Sequence, residues 1–258
     1  MTAVTISIDT LTERDIAKAI DHSLLRPELD DRFVEDGCRL AAEYHVASVC
    51  VRPADVRRAK AILGETDVAV GTVIGFPHGN HLTSTKVFEA QQALADGAIE
   101  LDMVIQIGAL KSGRDDDVQA DIEAIVELAH ASGAIVKVIF ENAYLTDDEK
   151  VRACRLSEAA GADFVKTSTG FAPGGATHDD LRMMRANTGS HIQVKAAGGV
   201  RTLDALLEVM ALGTTRIGAT ATKTIIDDFR ARKAGMFPAT TGAGGATAAG
   251  GATAEGGY

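Results

Sequence analysis

Three apolar runs decide the fold: Ala134-Ile-Val-Lys-Val-Ile-Phe140, Asp163-Phe-Val-Lys-Thr-Ser-Thr169 and Ile192-Gln-Val-Lys-Ala-Ala197. Each encloses one lysine, and Lys137, Lys166 and Lys195 recur at equal intervals of 29 residues. A charge inside an apolar strand must leave water, which is costly unless it is paired. Three at one interval indicate a repeated strand–helix unit that brings amines into one space. Outward from these runs, the same rhythm predicts strands near Ile20–Leu24, Ala47–Val51, Val68–Gly75, Glu100–Ile105 and Arg216–Gly218. The intervening segments read as helices, from Asp31–Tyr44 through Arg114–Ser132 to Thr222–Lys233. Thr10-x-x-Glu13 reads as a capping box for an extra leading helix that runs to about Ile20. Gly97, Gly133, Gly161 and Gly213 precede strands, where glycine makes the left-handed helix stop. Eight units leave a closed (β/α)8 TIM barrel or an open doubly wound sheet. The count, the similar unit lengths and the lack of a GxGxxG or GxxxxGK[ST] fingerprint favour a single α/β barrel.

The composition bounds the rest. The chain has 258 residues, 46% of them hydrophobic, as expected of a folded globular domain. Residues 1–239 read as the barrel domain. Residues 240–258 form a Gly/Ala/Thr-rich tail, expected to be flexible and ending in Tyr258. That tyrosine is an inert end or a mobile group that visits the site. A net charge of −10 argues against a nucleic-acid surface. No run approaches the roughly 20 apolar residues of a membrane helix. Met1 to Thr10 shows no basic region leading into an apolar run, so no secretory signal is expected. Cys38, Cys50 and Cys154 are scattered, which fits a reducing cytoplasm.

In a barrel the site lies at the carboxyl ends of the strands. Asp21-His22, Cys50, Asp102 and the three lysines all fall on predicted strands and can point into one cavity. A free lysine, with a pKa of about 10.4, is almost wholly protonated at neutral pH. Burial and a neighbouring cation both disfavour the ammonium. The resulting amine can attack a carbonyl to form a Schiff base, whose iminium is an electron sink for carbon–carbon chemistry. Asp102 could relay protons, directly or through water. The alternative is that the lysines snorkel or pair with inward carboxylates. Gly170, Gly198-Gly199 and Gly218-Ala-Thr220 follow strands six, seven and eight, where bare backbone N–H groups bind phosphate. Glu141 reads as a structural partner for a lysine or a backbone amide. Arg201 reads as a phosphate contact or a surface charge. His78 and His81 lack a metal-ligand spacing.

The motifs Asp21-His-Ser-Leu-Leu25, Val73-Ile-Gly-Phe-Pro-His-Gly79, Glu100-Leu-Asp-Met-Val-Ile105, Val165-Lys-Thr-Ser-Thr-Gly170 and Val194-Lys-Ala-Ala-Gly-Gly-Val-Arg-Thr202 resemble those of the deoxyribose-phosphate aldolase family, over about residues 20–229. The resemblance implies a (β/α)8 barrel, dimeric or tetrameric. It implies a class I aldolase that uses no metal or cofactor. Such an enzyme reversibly cleaves 2-deoxy-D-ribose 5-phosphate to D-glyceraldehyde 3-phosphate and acetaldehyde. It further implies Lys166 as the Schiff-base lysine, Lys195 as the cation that tunes it, Asp102 as proton relay and Lys137 as a supporting cation. Tyr258 resembles a C-terminal tyrosine used in proton transfer. Thr169, Gly170, Gly198, Gly199, Gly218, Thr220, Asp21 and Cys50 are expected around the substrate and its phosphate. Ala221 and Asn142 depart from the family pattern; the first puts more of the phosphate binding on backbone N–H groups. A Schiff-base barrel aldolase for another phosphorylated sugar and a non-catalytic phosphosugar-binding barrel are the competing readings.

Overall fold

In the computed structural model, which describes residues 6–236, eight parallel strands close on one another in chain order. They are β1 (Ile20–Leu24), β2 (Ser48–Val51), β3 (Ala69–Ile74), β4 (Glu100–Val104), β5 (Ile135–Ile139), β6 (Phe164–Lys166), β7 (Gln193–Ala197) and β8 (Arg216–Ala219). The helices are α1 (Glu13–Ala17), α2 (Asp31–Glu43), α3 (Val56–Leu63), α4 (Thr83–Ala95), α5 (Ile107–Lys111), α6 (Asp115–Ala131), α7 (Asp147–Ala159), α8 (His178–Ala186), α9 (Leu203–Ala211) and α10 (Thr222–Lys233). The predicted barrel is therefore the observed fold. The tail and Tyr258 lie outside the described residues.

Strand alternation separates two jobs. Val49, Val51, Val70, Leu101, Met103, Val136, Val138, Val165, Val194 and Ile217 point outward and join the helices in one continuous core. The positions between them, Asp21, Ser48, Cys50, Asp102, Lys137, Lys166, Lys195 and Arg216, point into the barrel. Full burial of each outward valine, leucine or isoleucine stabilises the fold by about 1.5–3 kcal/mol. That layer lets a few buried charges persist inside.

Three local expectations are corrected. The capping box is formed by Thr12 and Asp15, not Thr10 and Glu13: the Asp15 amide donates to Thr12 Oγ1 (3.2 Å) and the Thr12 amide to Asp15 Oδ2 (2.7 Å). Both frames carry the spacing, but this one buries Ile16 and Ala17. Thr10 closes a 3-10 turn, and Glu13 pairs with Arg230. The leading helix stops at Ala17, because Ile20 already pairs with β8. The short α5 was missed; five residues containing a glycine carry no helical period.

Candidate active site

The ladder does not place the three lysines level. Lys166 pairs with Lys195 across β6–β7, whereas Lys137 pairs with Phe164, two residues before Lys166. Asp102 is level with Lys137 and spans the offset. Its Oδ1 accepts from Lys137 Nζ (2.8 Å), and its Oδ2 accepts from both Lys166 Nζ (2.8 Å) and Lys195 Nζ (2.7 Å). All four side chains are almost wholly buried.

The amines differ in what else they meet. Lys137 also donates to Glu100 Oε2 (2.7 Å) and lies 3.7 Å from Asp21 Oδ2. Lys195 lies 2.5 Å from the same Asp21 oxygen, an ion pair without hydrogen-bond alignment. Among these carboxylates Lys166 touches only Asp102. Burial disfavours all three ammonium forms, and the partners decide the outcome. For Lys166, burial and the nearby Lys195 outweigh Asp102, and its pKa falls below the ordinary lysine range. For Lys195, Asp102 and Asp21 together overcome burial, and the pKa rises. For Lys137, Asp102, Glu100 and Asp21 likewise overcome burial, and the pKa rises. Burial opposes ionisation of Asp102, but the three lysines hold its carboxyl well below the usual range.

Asp21 was expected around the substrate and its phosphate. It lies one residue into β1, wholly buried, where it takes hydrogen bonds from Ser48 Oγ (2.8 Å) and Arg216 Nε (2.7 Å). It anchors the charge network and is far from free to bind phosphate. Glu100 and Arg216 were not singled out from sequence. Arg216 opens β8 after Thr214-Thr215 and does not stand out as a charge inside an apolar run, whereas Glu100, between Ile99 and Leu101, carries the same signal as Asp102 and was passed over.

Gly170, Gly198, Gly199, Gly218 and Thr220 line one cavity of about 310 Å³, together with Pro173, Gly174 and Arg201. It adjoins the amines, since a Cβ added at Gly218 would lie 3.8 Å from Lys195 Cε. Gly198 has φ +82° and packs on Gly175 so tightly that an added Cβ would lie 2.9 Å from the Gly175 Cα. Thr169 is not on this cavity: its hydroxyl and amide donate to Glu141 Oε2, and its hydroxyl accepts from the Phe171 amide (3.0 Å). Glu141 thus holds a backbone amide and a hydroxyl rather than a lysine. Ala221 gives no side-chain cap to α10.

Cys50 faces the barrel interior with Leu25, Val73 and Phe76 in an apolar cluster separate from the main core. Phe76 meets Phe171 edge to face at 5.1 Å. Burial pushes the Cys50 thiol up to about 11, so it stays neutral. Sequence reading missed the wall made by Leu25, Val73, Phe76 and Phe171, because apolar residues near strand ends look like ordinary core. His22 points the other way, its Nδ1 2.8 Å from Thr222 Oγ1. His78 and His81 are exposed loop residues. Among the described residues no group of three or more His, Cys, Asp or Glu is arranged to hold a metal ion.

A buried amine whose pKa is lowered, next to an apolar wall and a glycine cavity, belongs with the carbon–carbon lyases that work through lysine. A family model described as "DeoC/LacD family aldolase" matches residues 15–236, and the chain belongs to that family. The chain is 50% identical to a deoxyribose-phosphate aldolase of Rhodopirellula baltica, with 86% of this chain and 92% of that one covered. It is 51% identical to one of Thermococcus gammatolerans, covering 84% and 97%. The solved structure of the tetrameric deoxyribose phosphate aldolase from Aeropyrum pernix superposes with a TM-score of 0.80 at 30% identity, covering 87% of this chain and 95% of that one.

Proposed function

We propose that this aldolase reversibly cleaves 2-deoxy-D-ribose 5-phosphate to D-glyceraldehyde 3-phosphate and acetaldehyde, with Lys166 forming the Schiff base. The observation that carries the assignment is the unequal pairing of the three amines. Lys166 has a third share of one carboxylate, while Lys137 and Lys195 each meet at least one more. Lys195 is the adjacent cation that disfavours the Lys166 ammonium. Asp102, in contact with all three amines, is placed to pass a proton to and from the carbinolamine. Lys137 keeps Asp102 ionised and oriented. Gly170, Gly198, Gly199, Gly218 and Thr220 would hold the phosphate, largely through backbone N–H groups. Cys50 and the Phe76 wall border the small aldehyde, Thr169 braces the loop above Lys166, and Asp21 fixes Lys195. A role for Tyr258 in proton transfer falls outside the described residues.

Acetaldehyde with borohydride, followed by peptide mapping, tests this directly. The adduct is expected on Lys166; an adduct on Lys137 or Lys195, or none, overturns the assignment. In the same assay Lys195→Met should move trapping to higher pH. Relatives named for deoxyribose phosphate support the substrate, and the phosphorylated sugar should be cleaved far faster than free deoxyribose. A homodimer or homotetramer in the cytoplasm fits the tetrameric relative and the three free buried cysteines. Analytical ultracentrifugation reads the assembly. Among the described residues no helix is long and apolar enough to cross a membrane.

A further inference from the structure

Arg216 has no role in the assignments above, yet its side chain is 14% exposed at the base of the amine cluster. Its Nε donates to Asp21 Oδ1 (2.7 Å) and its Nη2 to both Glu100 oxygens (2.6 and 2.5 Å). It lies over the Phe164 ring, 5.8 Å from the centroid. The interior therefore holds three carboxylates, Asp21, Glu100 and Asp102, against four cations, Lys137, Lys166, Lys195 and Arg216. One positive charge is in surplus, in a space where charges are weakly screened. A guanidinium does not give up its proton. Only a lysine can relieve the surplus, and Lys166 has the fewest carboxylates to lose.

We propose that Arg216 is a positioning residue: by occupying Asp21 and Glu100 it fixes the charge balance of the barrel interior, so that Lys166 is the amine left without a proton. The inference rests on the assignment of Lys166 as the Schiff-base residue. The groups bearing on Lys166 are accounted for strand by strand. β4 brings Asp102 and Glu100, β5 brings Lys137, and β7 brings Lys195. β1 brings Asp21, β2 the neutral Cys50 thiol, and β8 Arg216. Glu141, beyond the end of β5, is engaged by Thr169.

The test is the pH midpoint of borohydride-trapped acetaldehyde on Lys166, measured on the full chain. Arg216→Gln makes the interior neutral with all three lysines charged, and should raise the midpoint by roughly one to two pH units. Glu100→Gln enlarges the surplus and should lower it. The double variant R216Q/E100Q restores a surplus of one, and its midpoint should return close to that of the unmodified chain. A residue that only braces the barrel floor predicts lower melting temperatures without these opposed shifts. An unmoved midpoint in either single variant, or a double variant that does not return, overturns the proposal. If Arg216→Gln does not fold, Glu100→Gln still decides it by the direction of its shift. Mapping on the unmodified chain comes first, so a wrong Schiff-base assignment is seen separately, as an adduct on another lysine.

Discussion

Asp102 offers two oxygens to three amines, and this shortage of acceptors separates them chemically. The shortage was half legible in the sequence. Lysines inside apolar runs stand out, as does Asp102 in Leu101-Asp-Met103. Their ranking does not, because it depends on Asp21, Glu100 and Arg216 arriving from distant strands. His22 gives a different residue-scale prediction. Burial lowers its pKa from the ordinary 6.5 to about 4, so it is neutral in the fold at neutral pH. The unfolded chain takes up a proton below about pH 6.5, while the folded chain resists until about pH 4. Stability is thus fully present above pH 6.5 and is lost as pH falls toward 4, by about 3 kcal/mol. Denaturant titrations at several pH values should show this slope, and His22→Gln should flatten it. An equally steep slope in the variant would assign the acid sensitivity to other groups.

The eight strands were legible to within two residues, because short apolar runs bounded by turn residues mark them, whereas the short α5 was missed and the leading helix ended three residues early. Register was not legible. The 29-residue interval counts strand–helix units along the chain, but the ladder between β5 and β6 is offset by two residues, which sets Lys137 apart from the Lys166–Lys195 pair. The loops of the glycine-lined cavity were found by their glycines, whereas Thr169 was expected beside the phosphate from its place next to Gly170. Only the fold shows that Glu141 holds it. The contact between Gly198 and Gly175 supplies a prediction at this scale. Gly198→Ala forces a side chain into a left-handed position, costing about 1–3 kcal/mol, and pushes the loop ending in Gly175 off β7. The KM for the phosphorylated sugar should rise markedly, and that for free deoxyribose should change little. Equal increases for both substrates would disconnect these glycines from the phosphate.

Across the whole molecule, a second buried ion pair joins elements that the active site does not. Lys86 of α4 and Asp121 of α6 are both wholly buried and 2.6 Å apart, and Lys86 Nζ also donates to the Val104 carbonyl at the end of β4 (2.7 Å). Thr83 and Gln106 complete the shell around Asp121. Lys86→Met strands the carboxylate and should destabilise the fold by about 3–5 kcal/mol, while K86M/D121L should recover most of the loss. Chemical denaturation checks both, and a double variant no better than the single would show that the cost lies in lost packing.

On the proposed assignment of Lys166, the surplus positive charge inside the barrel would also act after the substrate has reacted. A neutral Lys166 that condenses with acetaldehyde, taking up one proton and releasing water, would become a protonated imine and return that positive charge to the interior. Loss of a methyl proton to give the uncharged enamine relieves that burden again. The covalent intermediate would therefore be driven toward its carbon-nucleophile form by the same imbalance that disfavours the Lys166 ammonium. Activation of the lysine and activation of the bound aldehyde would then be two turns of one electrostatic cycle.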